Sequence, residues 1–173
     1  LDMTTAGEGR DAKACQRLAR RSGIYILVGT TCLRTLDKDE AANENGDSQS
    51  KDMKLFQRNI EHMERELKFG IGTTSEDNYK NLTSNNNNDV VRSSFCGPVT
   101  ISKNFTESEQ RELQAYAAVH GATEAPLIVI PSSLEDVSKL LDFIENSGGL
   151  LTKTVVAHAD LLVHQLATQT NQN

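Results

Sequence analysis

Short apolar runs alternate with amphipathic stretches along the chain, and this alternation predicts strands and helices in turn. Continuous apolar or β-branched runs predict strands at 1–3, 24–28, 90–101, 127–130 and 154–158. The strand-like run at 90–101 is interrupted by Gly97-Pro98. Strands that alternate with helices form parallel βαβ units with right-handed crossovers, so the sequence predicts an α/β fold with a parallel sheet.

Helix signals fill the spaces between the predicted strands. They predict helices at about 11–22, 51–69, 106–120 and 133–146. The first is stopped by Gly23, at a position that favours glycine. The third opens with a capping box, in which the Thr106 hydroxyl accepts from the amide of Glu109 and the Glu109 carboxylate reaches back. The second carries an apolar stripe for core packing, formed by Phe56, Ile60, Met63 and Leu67.

Two polar stretches separate the predicted elements. Residues 36–51 are polar and acidic, and residues 73–89 include the run Asn85–Asn88. Both are predicted to be loops or insertions within one segment that spans 1–173.

Composition narrows the range of functions. With a net charge of −6 and a pI of about 5.2 the chain has no basic stripe, which argues against a nucleic-acid partner. Its apolar runs are too short for a membrane span. The cysteines, Cys15, Cys32 and Cys96, are odd in number and widely spaced, which is typical of reduced thiols in a cytoplasmic protein.

One histidine stands where a parallel strand would deliver a metal ligand. His158 follows the apolar run Thr154–Ala157, and the carboxyl ends of such strands converge on a site. A structural strand-end histidine is the alternative interpretation. Asp160 is a candidate to orient a ligand or a water molecule, or to cap the next helix. We expect the remaining histidines to be solvent-exposed on or near helices: His62, His120 and His164.

Several segments, taken in order and spacing, resemble the phosphotriesterase family. At the start of the chain, Leu1–Asp11 (LDMTTAGEGRD) is followed by a helix and then by Gly23–Thr30 (GIYILVGT). The resemblance continues through Phe105–Glu109, Ala125–Val129 and Ser147–Asp160. It spans nearly the whole chain and depends on the register of these segments, since no single motif is diagnostic.

The resemblance implies a (β/α)₈ TIM barrel of the amidohydrolase superfamily, of which this chain would supply strands two to six. Such proteins hold one or two divalent metals, zinc above all, and hydrolyse ester, phosphoester, lactone or amide bonds. A barrel of this type needs ~250 residues, and the chain has 173. A five-stranded arc has two unpaired edges, so we expect the missing parts of the barrel or a protein partner to cover them.

The chain departs from the family pattern at decisive positions. The residue that bridges two metals at the fourth strand would fall at Pro98, and the fifth-strand histidine at Ile130. Lys103 lies five residues beyond Pro98, in the following loop. Only the sixth-strand histidine remains, as His158. The His-x-His and the late aspartate of the family are not among these residues, so we expect no catalytic residue here.

Three hypotheses follow. The chain is a pseudoenzyme that keeps the fold and serves as a structural or binding subunit, without a metal. Alternatively, it is a fragment of an active zinc-dependent hydrolase whose other ligands lie outside it. The third hypothesis sets the resemblance aside and predicts a small α/β domain that binds acidic or neutral proteins.

Overall fold

A computed structural model describes residues 10–33, 48–72, 90–133 and 137–160 of the chain. The helices and strands in these residues are, in chain order, α1 (Ala12–Ser22), β1 (Gly29–Thr30), α2 (Ser48–Lys68), β2 (Phe95–Ile101), α3 (Glu107–Thr123), β3 (Leu127–Pro131), α4 (Val137–Asn146) and β4 (Thr154–Val156). A 3₁₀ turn at Leu151–Lys153 leads into β4.

The four described strands form one parallel sheet in the order β1-β2-β3-β4. The strands are joined by helices, so the predicted α/β class with parallel βαβ units is confirmed. Cys96 pairs with Leu127 and Val99 with Val129, so three steps along β2 oppose two along β3. This bulge contains Pro98, which has no N–H to donate to the neighbouring strand.

The core lies between the sheet and helices α2, α3 and α4. Val99, Ile101 and Val129 of the sheet pack in one buried cluster with helix residues. The helices contribute to this cluster Met63, Leu113, Ala115, Tyr116, Ala117, Val119, Leu140 and Ile144. Because side chains alternate along a strand, Thr100 and Ile130 lie on the opposite face of the sheet. Thr100 is exposed there and Ile130 is partly buried.

The amino-terminal part of the first described strand differs from the prediction. Only Gly29–Thr30 form a strand, and Ile24 and Tyr25 are 64% and 95% exposed. The prediction of a strand at 24–28 buried on both faces is therefore wrong except at Val28, which is buried and accepts a hydrogen bond from the Ser94 amide at 2.8 Å. The physical reason is that β1 lies at the edge of the described sheet. On its outer side the described residues include no strand that would pair with the apolar run and bury it.

The predicted polar loops fall mostly outside the described residues. Helix α2 begins at Ser48, so the last residues of the stretch 36–51 are helical. The rest of that stretch, all of 73–89 and the predicted strand at 1–3 lie outside the part of the chain that the structure describes. None of the helices within that part combines the length and apolarity needed to cross a membrane.

Candidate functional site

The carboxyl edge of the sheet is where parallel strands present functional side chains, and His158 lies at this edge. β4 ends at Val156, which pairs with Val129, and the amide of Ala157 donates to the Val129 carbonyl at 2.9 Å. His158 follows in a left-handed conformation, with φ of 59°. The side chains of His158 and Asp160 are both exposed. The chain thus leaves the sheet at the residue that was predicted to be a ligand.

The register separates the two positions predicted to have lost a ligand. Ile130 lies one residue before the end of β3 and pairs with Thr100 of β2. Pro98 lies two residues before Thr100, inside the bulge, and is only partly buried. Thr100 of β2, Ile130 of β3 and Ala157, which begins the turn to His158, therefore lie at one level of the sheet. Pro98 lies nearer the middle of the sheet.

The described residues do not fit a zinc centre. A catalytic zinc site takes three protein ligands, usually histidine, cysteine or carboxylate. Within the ranges described, no three such residues lie close enough together to hold a metal ion. At the carboxyl edge, Thr100, Ile130 and Ala157 lie at one level and have no metal-binding side chain of these kinds. His158, one residue further on, offers a single imidazole as a ligand. The four histidines of the sequence stand at 62, 120, 158 and 164, so the sequence contains no His-x-His pair.

A buried ion pair that the sequence did not reveal lies beside β1. The Arg10 guanidinium donates to a Glu66 carboxylate oxygen at 2.5 Å and to the Gly29 carbonyl at 2.6 Å. Thr30 Oγ1 donates to the second carboxylate oxygen at 2.7 Å, and the Ser93 hydroxyl reaches the same oxygen at 3.4 Å. The side chains of Arg10 and Glu66 are 3% and 4% exposed. In the sequence, the burial of Glu66 is indicated only by its position next to Leu67, on a mainly apolar helix face.

His62 borders this cluster without completing it. Its Nε2 lies 3.5 Å from the Glu66 carboxylate and is buried without a hydrogen-bond partner among the described residues. Burial lowers the pKa of His62 below its ordinary value; Glu66 acts to raise it, and Arg10, Arg65 and Arg58 lower it further. Near neutral pH the ring is therefore uncharged, and it adds no second cation beside Glu66.

His120 is fully buried, which corrects the prediction that it is solvent-exposed. Its Nδ1 lies 2.6 Å from the Ala125 carbonyl oxygen and its Nε2 lies 2.9 Å from the Leu150 carbonyl oxygen. These carbonyls precede β3 and β4, so His120 joins the end of α3 to the amino edge of the sheet. In parallel α/β folds the functional side chains lie at the opposite, carboxyl edge, so we assign His120 a structural role.

Cys32 follows β1 on the side where strand ends open, and its surroundings make it a weak nucleophile. Its amide donates to the Tyr116 hydroxyl oxygen at 2.9 Å, and its sulfur lies 4.0 Å from the Met63 sulfur. Burial, followed by the charge of Glu112, raises the pKa of the Cys32 thiol well above its ordinary value. The thiol is therefore protonated at neutral pH. Because the thiolate is the reactive form, Cys32 is a weak nucleophile.

The loop after β2 is held rigidly by Glu109. Its carboxylate accepts four hydrogen bonds: from the amide and hydroxyl of Ser102, both at 2.8 Å, and from the amide and hydroxyl of Thr106, at 2.7 and 3.0 Å. The Thr106 hydroxyl in turn accepts from the Glu109 amide, which confirms the predicted capping box. Between them Phe105 adopts a left-handed conformation, with φ of 40°.

Replacing Glu109 by Gln is expected to destabilise the protein in a pH-dependent way. Desolvation acts to raise the pKa of Glu109, but the bonds from Ser102 and Thr106 outweigh it and lower the pKa below its ordinary value. A depressed carboxyl pKa contributes stability above the unfolded-state pKa, which is lost as pH falls through the folded-state pKa. Urea denaturation should therefore show a gap between wild type and E109Q at pH 7 that narrows as pH falls below the unfolded-state pKa of glutamate, about 4.3, and is lost at lower pH. A constant gap between pH 7 and pH 3 would contradict this account.

Comparisons with known proteins match almost all of this chain to part of longer ones. No known family profile matches. N-acetyltaurine hydrolase of Homo sapiens is 24% identical over 161 residues, covering 92% of this chain and 39% of that protein. A phosphotriesterase-related protein of Nematostella vectensis is 25% identical over 163 residues, with the same coverage. The chain thus spans about two-fifths of the length of these curated relatives.

Solved structures show the same partial match. The phosphotriesterase homology protein of Escherichia coli superposes with a TM-score of 0.66 at 18% identity, covering 98% of this chain and 51% of that one. A lactonase of Deinococcus radiodurans described as phosphotriesterase-like superposes with a TM-score of 0.64 at 17% identity, covering 91% and 43%. The likeness establishes the fold of the sheet and its helices, which match about half of each of these longer chains.

Proposed function

We propose that this chain, a partial-length relative of the phosphotriesterase family, is a non-catalytic (β/α) unit that serves as a structural or binding subunit. The observation that carries the proposal is the level Thr100, Ile130 and Ala157 at the carboxyl edge of the sheet. At this level, the three adjacent strands β2, β3 and β4 present no histidine, carboxylate or lysine side chain. The proposal treats residues 1–173 as one segment of a barrel.

Ile130 supports the loss of metal chemistry more directly than Pro98 does. It lies at the carboxyl edge, on the face of the sheet opposite the helices, and its apolar side chain has no atom that can bind a cation. A metal centre needs ligands that converge from several strands, and an aliphatic group at one of these positions also disfavours a charge nearby. His158 would be left as a single ligand, and a single imidazole does not hold zinc in a catalytic geometry.

The exposed apolar residues at both edges of the described sheet support a role in assembly. Ile24, Tyr25 and Leu27 precede β1 at one edge, and Val155 of β4, at the other edge, is 49% exposed. Edge strands with exposed apolar side chains favour pairing with further strands. Additional β/α units, from a longer parent chain or from a protein partner, would cover both edges.

A reducing compartment fits the same proposal. Cys15, Cys32 and Cys96 are all free thiols, and Cys96 is buried in the core. Persistent free thiols are typical of the cytoplasm, where we place this protein.

The alternative is a fragment of an active zinc-dependent hydrolase. It is favoured by the exposed position of His158 directly after β4, and by the greater length of the curated relatives, of which the chain covers 39%. In that case His158, oriented by Asp160, would contribute one zinc ligand, and the others would come from outside this chain. The bound zinc ion would supply an activated water molecule for hydrolysis.

Zinc binding by wild type and His158→Ala distinguishes the two functions when both are made in the full polypeptide that the gene encodes, because the alternative takes its other ligands from outside residues 1–173. Each protein is equilibrated with zinc, dialysed and analysed for bound metal, and is then assayed with ester and phosphotriester substrates. His62→Ala is the matched control, because His62 lies 3.5 Å from the Glu66 carboxylate and away from the carboxyl edge. We expect less than stoichiometric zinc and background hydrolysis in all three proteins. Stoichiometric zinc that is lost in H158A and kept in H62A would overturn the proposal and establish the alternative.

A further inference from the structure

Both ring nitrogens of His120, in the last turn of α3, lie against carbonyl oxygens. Nδ1 lies 2.6 Å from the Ala125 oxygen and Nε2 lies 2.9 Å from the Leu150 oxygen. These are hydrogen-bond distances, and a carbonyl oxygen can only accept. Each contact therefore needs an N–H on the ring, whereas a neutral imidazole carries a single N–H.

A neutral ring does not suit this position. Its second nitrogen would direct an unshared electron pair at a carbonyl oxygen. Because the ring is fully buried, bulk water does not screen this repulsion. An imidazolium ion donates from both nitrogens and satisfies both oxygens. Hydrogen bonds from a charged donor are also shorter than neutral ones, in agreement with the 2.6 Å contact to Ala125.

The backbone around the ring stabilises a positive charge. The carboxyl-terminal end of a helix carries a partial negative charge, and His120 is the basic residue in the last turn of α3. The carbonyl groups of Ala125 and Leu150 place two further negative dipole ends at the ring. Together these groups offset the cost of removing a cation from water.

The charged side chains in the surrounding elements, within the part of the chain described, are exposed. Glu124, at the end of α3, pairs with Lys153 of the turn before β4 at 2.6 Å, and these side chains are 68% and 40% exposed. The segment 125–130, which leads into and forms most of β3, has no charged residue. Those of α4 are exposed as well: Lys139, Asp142 and Glu145. The charge of the ring therefore depends chiefly on backbone carbonyl groups.

The two carbonyl oxygens differ in their other hydrogen bonds. The Leu150 oxygen also accepts from the Lys153 amide and the Thr154 hydroxyl, both at 3.0 Å, and its contact with the ring is the longer one. The proton on Nε2 is therefore the one that passes to water as the pH rises. The electron pair left on Nε2 then repels the Leu150 oxygen, at the start of the 3₁₀ turn that leads into β4.

We infer that His120 is an imidazolium ion in the folded protein and acts as a proton-dependent clamp between α3 and β4. When Nε2 loses its proton, the contact with Leu150 becomes repulsive. β4 then loosens, because it is three residues long and pairs with β3 alone in the described sheet. His158 lies two residues after β4, so the clamp controls the strand that delivers this histidine. The inference concerns the amino edge of the sheet and does not rest on the proposed function.

Nuclear magnetic resonance of the histidine rings tests the charge directly. The full polypeptide that contains residues 1–173 is labelled with ¹⁵N at its histidines, and the ring of His120 is assigned in wild type through its proximity to Gly149. We expect two ring N–H protons at about pH 6, and loss of the one on Nε2 as the pH is raised. A single ring proton at about pH 6, or two that persist to about pH 9, would overturn the inference.

The pH dependence of stability gives an independent readout. The folded ring keeps a proton that histidines of the unfolded chain release at about pH 6.5. Its stabilising contribution is therefore complete below that pH and is lost as the pH rises. The ratio of the folding equilibrium constants of wild type and His120→Gln should fall above about pH 6.5, by up to about tenfold per pH unit.

His62→Gln is the matched control, because it should change in the opposite direction. Burial lowers the pKa of His62, so its contribution is lost as the pH falls below the unfolded-state value. The ratio of wild type to H62Q should therefore fall on acidification. A ratio of wild type to H120Q that is constant with pH, or that follows the direction seen for H62Q, would contradict the clamp.

Discussion

Replacing Glu66 by Ala is expected to lower the free energy of unfolding by about 3–5 kcal/mol, the usual cost of breaking a buried ion pair from one side. The variant leaves the Arg10 guanidinium buried without its counter-charge. It also removes the acceptor for Thr30 Oγ1, whose side chain is fully buried, and for the Ser93 hydroxyl. Chemical denaturation followed by circular dichroism measures the loss.

The same helix provides the control. Glu64 pairs with Lys68 at 2.6 Å, but the side chains of this pair are 32% and 50% exposed. Glu64→Ala should therefore cost about 1 kcal/mol or less, as exposed pairs do. A second test combines Glu66→Leu with Arg10→Met, which removes both charges and should recover much of the stability lost in Glu66→Ala. Equal losses for Glu64→Ala and Glu66→Ala would show that the buried pair contributes nothing beyond a surface pair.

The sequence predicts best the elements whose signals are local. The Thr106–Glu109 capping box places the start of α3 correctly, since the two side chains and the amides they satisfy lie within one turn. Gly23 stops α1 in the left-handed conformation, with φ of 70°. The apolar run 127–130 becomes β3, because it lies between two other strands and is covered by α3.

Non-local features are what sequence patterns miss. The run at 24–28 has the composition of an interior strand, but its burial depends on which strand lies beside it, and a run of residues does not encode its neighbour. Glu66 resembles a solvent-exposed helix residue until Arg10, 56 positions away, is placed against it. Its burial follows from the fold and not from its own helix.

The candidate site shows the same division. His158 falls at the end of a strand because the apolar run before it is short and clear. The family resemblance gives both Pro98 and Ile130 as lost ligand positions, but the bulge between Cys96 and Val99 places Pro98 below the level of Ile130. A bulge adds a residue without a pattern that announces it, so depth within a sheet is seen only in the register.

Two buried polar arrangements, then, hold the described sheet at its two ends. Arg10 and Glu66 join the residue before α1 to β1 and α2, while His120 joins α3 to the turns that precede β3 and β4. Neither arrangement uses Thr100, Ile130 or Ala157. The fold can therefore keep its stability while the residues at that level change, which is what the proposed function requires.

His120→Ala is expected to lower the free energy of unfolding by about 3 kcal/mol or more, through loss of a large buried side chain and of its polar contacts. The ring lies within hydrogen-bond distance of the carbonyl oxygens of Ala125 and Leu150, and the variant removes both contacts. The Leu150 oxygen keeps the Lys153 amide and the Thr154 hydroxyl as donors, both at 3.0 Å, so the Ala125 oxygen loses more. The surroundings also leave little room to collapse: a Cβ built on Gly149 would lie 3.3 Å from Cδ2 of His120 and 2.5 Å from a side-chain carbon of Ile144. Urea denaturation at neutral pH measures the effect.

His62→Ala is the matched control, because it removes the same ring from a helix. Its side chain is 19% exposed and its buried Nε2 has no hydrogen-bond partner among the described residues, so its loss removes no comparable polar contact. We expect His62→Ala to cost less than half as much as His120→Ala. His120→Gln restores a hydrogen-bond donor near one of the carbonyls. Its loss in free energy of unfolding should therefore lie between those of the two alanine variants. If His120→Ala were no more damaging than His62→Ala, the amino edge of the sheet would be held by apolar packing alone, and His120 would have no role in fixing α3 to β3 and β4.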